Sequence, residues 1–199
     1  MEKFKFEFPT LEREKDVLEY FEELSSHDSE LHAVSSLNEY LNNYTSWVEK
    51  LQKDIGGNPE KDRVPAVTYF LVRDTDNKLV GMINIRLKLN HTPWNFGGHI
   101  GYNVRPSERR KGYNKINLYL GLYVLNEYGA EVALLDCDKE NLGSSATMRA
   151  LGGKMIYEYL DPERNYVIQK YVIDIKDSLA KYKNNYSDII AEYPGRLTV

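Results

Sequence analysis

A basic turn that contains a glycine joins a strand pattern to a long apolar helix pattern, and this arrangement constrains the fold most. The turn is Arg105-Pro-Ser-Glu-Arg-Arg-Lys-Gly-Tyr-Asn-Lys115, with the strand pattern at 98–104 before it and the helix pattern at 115–128 after it. Gly112 can adopt a positive φ or let another backbone approach closely. The free N–H groups and the positive dipole end of a helix start favour an anion. We therefore predict an anion site between a strand and a helix.

The charge of this turn suits a pyrophosphate. Five of its residues are cationic, namely Arg105, Arg109, Arg110, Lys111 and Lys115. A basic loop can also be a merely solvated turn, and it is the flanking strand and helix that favour the anion site. The chain has no Gly-x-x-x-x-Gly-Lys-Ser/Thr run, and the glycines at 97–101 precede their strand. Neither a P-loop nor a Rossmann phosphate site is therefore predicted.

Length and composition bound the class of protein. The chain has 199 residues and is 42% hydrophobic, which predicts one domain over 1–175 and a polar tail over 176–199 that could be helical. The single cysteine, Cys137, excludes an internal disulfide and is typical of a reducing, cytoplasmic compartment. Without a signal-peptide pattern or a run of about 18 apolar residues, no membrane association is expected. The net charge of −4, without a wider basic stripe, argues against a nucleic-acid partner.

Hydrophobic periodicity predicts helices and strands in the order ααβββαβαββ. The predicted helices cover 10–25, 36–53, 115–128 and 141–151, and the predicted strands cover 67–73, 79–87, 98–104, 131–137, 154–160 and 166–175. Loops are expected at 55–65 and 88–96, and the strand at 131–137 is expected to be central. This succession is typical of an α/β (α+β) fold with a mixed, mostly antiparallel sheet flanked by helices.

Two blocks of the chain resemble the GNAT superfamily of acyl-CoA N-acyltransferases. The family signature Gln/Arg-x-x-Gly-x-Gly/Ala corresponds to Arg109-x-x-Gly112-x-Asn114. An Asn after the next strand, followed by a helix that ends in Gly, corresponds to Asn141 and Gly152-Gly153. The resemblance covers 70–171, about half the chain, and the wording of 97–112 is close to a subgroup of uncharacterised predicted bacterial acetyltransferases.

The resemblance implies that the chain binds acetyl-CoA as a cosubstrate, without a metal. It implies transfer of the acetyl group to a primary amine of a small molecule or peptide by direct attack. Main-chain amides of the turn would hold the pyrophosphate, a strand would pair with the pantetheine arm, and polar side chains downstream would bind that arm. The implied cofactor-binding residues are Val104, Arg109, Arg110, Lys111, Gly112, Tyr113, Asn114, Asn141 and Ser144. The acceptor amine is not identified, and a homodimer is left open.

Two positions depart from the family pattern. Asn114 stands where a small residue is usual at the helix start, which adds side-chain bulk near the phosphate. Met148 stands seven residues after Asn141, where many members have a tyrosine that protonates the leaving thiolate. These departures favour an alternative, an acyl-CoA-binding protein with little or no catalysis.

His99 and Tyr102 are the candidates for proton transfer, because they lie on the strand that should meet the thioester. Imidazole titrates near neutral pH, so His99 could act as a base or through a water. It could equally be hydrogen-bonded to the backbone. Strand alternation places His99 and Tyr102 on opposite faces, so a bulge would be needed for both to reach one site, and Tyr102 could pack as core.

Overall fold

The structure is a computed structural model that describes residues 2–27, 34–57, 63–90, 97–162 and 164–195. Parts of the predicted loops at 55–65 and 88–96, and of the tail at 176–199, lie outside these residues. The described ranges contain eight strands: β1 Phe4–Glu7, β2 Ala66–Arg73, β3 Lys78–Arg86, β4 Ile100–Val104, β5 Val132–Asp138, β6 Lys154–Leu160, β7 Val167–Asp174 and β8 Ile190–Glu192. They also contain five α-helices: α1 Glu14–Ser26, α2 Tyr44–Asp54, α3 Tyr113–Glu127, α4 Leu142–Ala150 and α5 Ile175–Tyr186.

The strands form two sheets, with the orders β4-β3-β2-β1-β8 and β5-β7-β6. Every described pairing is antiparallel except that of β1 with β8. The mixed, mostly antiparallel sheet and the predicted order ααβββαβαββ are confirmed, with β1 before that order and α5 and β8 after it. The strand expected to be central, β5, is an edge strand of its own sheet, and it faces the edge strand β4 of the other sheet.

The large sheet is buried on both faces because helices cover each of them. Along β2, Phe70 and Val72 belong to the core with α1 and α2, whereas Tyr69 and Leu71 belong to the core with α3 and α5. Successive side chains of a strand point to opposite faces, so an uninterrupted apolar strand needs a cover on each side. Two hydrophobic layers therefore fix β2 and its neighbours.

Helix α3 is apolar almost all round, which is typical of a helix buried in the centre of a domain. Leu118, Leu122 and Leu125 are fully buried. The helix also comes very close to the sheet, since a Cβ at Gly121 would lie 2.8 Å from Ile83 Cδ1. This packing fixes the start of α3 beside the end of β4.

The first strand and the start of α2 differ from the prediction. Strand β1 was missed, although Phe4 and Phe6 alternate with charged residues and are buried against β2. The helix predicted from residue 36 begins at Tyr44, because Asn43, with a φ of −152° and a ψ of 67°, lies outside the helical region. Asn43 caps the shorter helix, and its Oδ1 accepts the Ser46 N–H at 3.1 Å.

The segment after residue 175 packs against the rest of the protein. Helix α5 is capped by Asp174, whose Oδ1 accepts the Asp177 N–H at 2.9 Å. The buried Ser178 hydroxyl donates to the Leu151 carbonyl at 2.7 Å, and β8 pairs in parallel with β1. Helix α5 packs against α3.

Candidate active site

The two sheets are joined at one end of the gap between β4 and β5. The His99 N–H donates to the Leu134 carbonyl at 2.7 Å, and the Leu134 N–H donates to His99 Nδ1 at 3.0 Å. The imidazole therefore accepts the hydrogen bond that a main-chain carbonyl would accept in a regular pair of strands. A Cβ at Gly98 would lie less than 3.0 Å from the Leu134 carbonyl oxygen, and Gly98 has a φ of 58°. Only glycine fits this junction, which we call the closed end.

Toward Val104 and Asp138 the same two strands separate, and this is the open end. Beyond the closed end, β4 and β5 share no main-chain hydrogen bond among the described residues. A cavity of about 690 Å³ lies there, which we call the cofactor cavity. It is lined by β4 at 102–104, by the basic turn and the first residues of α3, and by the start of α4.

The start of α3 supplies main-chain donors to this cavity. Gly112 precedes the helix with a φ of 85°, and no side chain caps the helix start. Arg110 also has a positive φ, 67°. Uncapped N–H groups at a helix start form a site for an anion. The Oδ1 atom of Asn114 is buried without a hydrogen-bond partner, which is consistent with a ligand group beside it.

The five cations of the turn have two different roles. Arg109, Arg110 and Lys115 line the cofactor cavity, as the anion-site prediction requires. Arg105 is buried, and its Nη1 atom lies 3.3 Å from Glu23 Oε2, while its Nε donates to the Leu79 carbonyl at 3.0 Å. It holds α1 against the sheet instead of facing the cavity.

Lys111 does not line the cavity either, because its ammonium is paired with Glu108 at 2.6 Å. Glu108 also binds Arg73 and Lys78, each at 2.8 Å. Burial alone would raise the pKa of Glu108, but the hydrogen bonds from Lys111, Lys78 and Arg73 lower it to about 2. Glu108 was not predicted as a residue of the site, although a single acid within a basic turn was an available signal. This carboxylate anchors the turn to the β2–β3 hairpin.

Asn141, Ser144 and Tyr102 meet at the open end. Asn141 caps α4, and its Oδ1 accepts the Ser144 N–H at 3.0 Å. The Tyr102 hydroxyl lies 3.0 Å from Ser144 Oγ. Burial raises the pKa of Tyr102 above its usual range, so the phenol keeps its proton at neutral pH. Met148, which departs from the family pattern described above, is fully buried in the core.

His99 is placed differently from Tyr102. Its Nδ1 atom accepts the Leu134 N–H, so the neutral ring carries its hydrogen on Nε2. Burial, together with the charges of Arg86 and Lys170, lowers the pKa of His99 to about 4. To accept a proton, Nδ1 would first have to give up its bond to Leu134. The assignment of His99 as a base stays a prediction.

A second cavity, of about 440 Å³, adjoins the first, and we call it the side cavity. The two cavities share Asp138, Asn141 and Ser144. The side cavity continues along β5 and the β6–β7 hairpin, and it is lined there by Arg86, Asp136, Cys137, Tyr159, Arg164 and Tyr166. Burial raises the pKa of the Cys137 thiol to about 11, so the thiol is protonated and a poor nucleophile.

In the described part of the chain, no three His, Cys, Asp or Glu side chains are grouped as they would be around a metal ion. No described helix combines the length and the apolar character needed to cross a bilayer.

The chain is similar to one protein family and shares its fold with several solved structures. The sequence profile of the acetyltransferase (GNAT) family matches residues 16–152. The chain belongs to this family. As a GNAT acetyltransferase it is an acetyl-CoA-dependent N-acyltransferase, and the predicted reaction class is confirmed. The matched residues include β4, β5 and α4, which line the two cavities. No curated protein sequence is significantly similar to the chain.

Solved structures show the same fold at low sequence identity. A ribosomal-protein-S5-alanine acetyltransferase from Vibrio fischeri has a TM-score of 0.67 at 14% identity, covering 89% of this chain and 96% of its own. The microcin C7 self-immunity acetyltransferase, solved with acetyl-CoA and AMP, has a TM-score of 0.61 at 16% identity, with coverages of 86% and 92%. A chimera of spermidine N-acetyltransferase from Vibrio cholerae has a TM-score of 0.62 at 11% identity, with coverages of 89% and 98%.

Proposed function

We propose that this GNAT acetyltransferase binds acetyl-CoA in the cofactor cavity and an acceptor amine of a small molecule or peptide in the side cavity. The main observation in support is that the two cavities meet at Asp138, Asn141 and Ser144. An amine that enters from the side cavity can approach a thioester held in the other without covalent catalysis by the protein. Holding both reactants in this geometry is itself a large part of catalysis.

The cofactor would be held by main-chain and side-chain groups at the open end. The uncapped N–H groups over 112–114 would bind the pyrophosphate, and Arg109 and Arg110 would add positive charge beside it. Because the edge of β4 that faces β5 carries no main-chain hydrogen bond to β5 toward Val104, this edge can pair with the pantetheine arm as an added strand. Asn141 keeps its side-chain N–H₂ for the arm, since its Oδ1 caps α4. Lys111 would contribute through its main chain, because its ammonium is paired with Glu108.

Tyr102 would replace the tyrosine that relatives carry at the position of Met148. Its hydroxyl lies beside Ser144 at the junction of the cavities and stays protonated at neutral pH. It can therefore donate a hydrogen bond, and then a proton, to the sulfur that leaves the acetyl group. His99, the other predicted catalytic residue, would join β4 to β5 through its bond to Leu134 and so set the angle between the two sheets.

Two experiments test the proposed function. Calorimetric titration should show binding of both acetyl-CoA and CoA, and no binding of a short DNA duplex at moderate salt. Thiol release should then accelerate when primary amines are added to the protein with acetyl-CoA. Absence of CoA binding would contradict the cofactor site. Binding without any amine-dependent thiol release would favour the acyl-CoA-binding alternative, in which the buried Met148 has no functional substitute. A cytoplasmic location and a homodimer stay predictions.

A further inference from the structure

The side cavity contains a cation without a carboxylate partner. Arg86 donates from Nη1 to the carbonyls of Gly98 at 2.7 Å and Gly97 at 3.2 Å. No ion pair among the described residues includes its guanidinium. Burial lowers the pKa of Arg86, and the nearby charge of Asp136 opposes this shift. A desolvated cation is unfavourable unless an anion lies near it. The guanidinium also has further N–H groups arranged for a planar anion.

The nearest acid on the cavity wall, Asp136, is already neutralised. Its carboxylate lies 2.8 Å from the Lys170 ammonium and accepts the Gly97 N–H at 2.8 Å. The Lys170 side chain is only 1% exposed, so this ion pair is internal. Since Gly97 bonds both Asp136 and Arg86, the guanidinium lies level with Asp136 along β5. Here Arg86 adds one positive charge to the neutral Lys170–Asp136 pair, and the other two charged residues of this wall, Asp161 and Arg164, are of opposite sign.

Asp138 gives the other end of the cavity the opposite charge. It lies two residues beyond Asp136 on the same face of β5, about 7 Å further along the strand. Its Oδ1 accepts the Glu140 N–H at 2.7 Å, and no described cation is ion-paired with it. Asp138 also lines the cofactor cavity. The side cavity is therefore negative where it meets the cofactor cavity and positive at its far wall.

We propose that the acceptor is an amine that carries an anionic group about 7 Å from its nitrogen. The ammonium lies at Asp138, beside the cofactor cavity, and a carboxylate or phosphate-type group lies at Arg86. Compounds of the ω-amino carboxylate or aminoalkyl phosphonate form have these dimensions. Polyamines do not fit, because their second ammonium would lie against the guanidinium. This inference rests on the proposed function, since it takes the side cavity as the acceptor site.

Binding measurements on the CoA-loaded protein test this charge pattern directly. The probes are 5-aminopentanoate, 4-aminobutylphosphonate, pentylamine and 1,5-diaminopentane, which share a chain length and differ at the far end. We expect at least one of the two anionic amines to bind about 10-fold more tightly than pentylamine, and the diamine to bind no more tightly than pentylamine. The carboxylate and phosphonate arms show which anion is preferred. Equal affinity for all four probes, or a preference for the diamine, overturns the proposal.

Substitution of Arg86 separates recognition from structural support. In Arg86→Gln the preference for the anionic amine should fall to about 1, whereas Arg86→Lys should keep part of it. A merely structural role would lower the affinity for all four probes together and leave the ratio unchanged. If the Gln variant does not fold, the ratio in the unmodified protein still decides. If the unmodified protein does not bind acetyl-CoA, the proposed function is contradicted. If it binds CoA but shows no preference for the anionic amines, this inference alone is contradicted.

Discussion

The closed and open ends of the β4–β5 gap are built from different kinds of residues. At the closed end, His99 and Leu134 form two hydrogen bonds, and Gly98 lies so close to Leu134 that there is no space for a Cβ atom. At the open end, the strands carry no mutual main-chain bond among the described residues, and polar side chains surround two cavities. The closed end sets the angle between the two sheets, and the two cavities of the open end lie in the space that this angle creates. Substitutions at the closed end should therefore change stability, and substitutions at the open end should change ligand binding or catalysis.

The largest effect is expected at the closed end, from Gly98→Ala. The new Cβ would collide with the Leu134 carbonyl at a φ of 58°, and the free energy of unfolding should fall by about 3–4 kcal/mol or more. Urea unfolding measures this. The matched control is Gly129→Ala, which also has a positive φ but has nothing within 4 Å of a Cβ, and should cost about 1 kcal/mol. Equal losses in both variants would show that the closed end is not tightly packed.

The second prediction concerns the pH dependence of the same end. The pKa of His99 is about 4 in the folded protein, against 6.5 for a free histidine. Between these values the unfolded chain binds a proton that the native state does not. The free energy of unfolding contributed by His99 is therefore complete above pH 6.5 and falls by up to about 3 kcal/mol as the pH drops through 4.

The measurement is urea unfolding at several pH values between 7 and 4. His99→Gln cannot titrate, so the variant should have a lower stability at pH 7 but a flatter pH dependence than the unmodified protein. A parallel decline in both proteins would place the responsible group elsewhere.

At the open end, Tyr102→Phe tests chemistry without a change of packing. Loss of the hydroxyl should lower kcat about 100-fold, because the leaving thiolate loses its proton donor. The dissociation constant of acetyl-CoA should stay within about 3-fold. The control is Tyr171→Phe, a buried tyrosine whose hydroxyl bonds Gln169 outside both cavities. An unchanged kcat in Tyr102→Phe would assign that tyrosine to the core alone.

Arg110→Glu tests electrostatics at the cofactor turn. Arg110 lines the cavity and is exposed, so the charge reversal should weaken acetyl-CoA binding about 30-fold in calorimetry. The free energy of unfolding should not change. Lys176→Glu makes the same charge change at an exposed position of α5 outside the cavity and is expected to leave the affinity unaltered. Similar weakening in both variants would indicate a general charge effect.

The smallest effect is expected for Asn114→Ala, which restores a residue usual in the family. Removal of the buried, unpaired Oδ1 atom should leave the affinity for acetyl-CoA equal or raise it by up to about 3-fold. The control is Asn126→Ala on the exposed side of α3. A large loss of affinity in Asn114→Ala would instead mean that this side chain contacts the cofactor.

The sequence predicted the elements from β2 to β7 because their hydrophobic periods are long and unbroken. The missed elements are short or polar. Strand β1 has four residues and β8 has three, and their pairing with each other joins parts of the chain that no local pattern connects. Even so, Phe4 and Phe6 alternate, and Ile175, Leu179, Tyr182 and Tyr186 follow a helical spacing. These signals were available but weaker than the polar composition around them.

At the site, the motifs formed by neighbouring residues of the sequence could be predicted, but the contacts between residues far apart in the sequence could not. The anion cradle around Gly112 depends on a turn and a helix start, which are local properties of the sequence. The separation of Arg105 and Lys111 from the cavity depends on Glu23, which is 82 residues away from Arg105, and on the burial of Glu108. The closed end likewise depends on Leu134, 35 residues from His99. Pairings of this kind arise from tertiary packing.

The pairing of Glu23 with the basic turn couples α1 to cofactor binding in a thermodynamic sense. Glu23 accepts the Ser107 N–H at 2.5 Å and is ion-paired with Arg105, whose guanidinium also lies over the Tyr20 ring. Helix α1 and the start of the turn therefore cannot shift independently without breaking these bonds. A ligand that displaces α1 must change the affinity for acetyl-CoA, and acetyl-CoA must change the affinity for that ligand by the same factor.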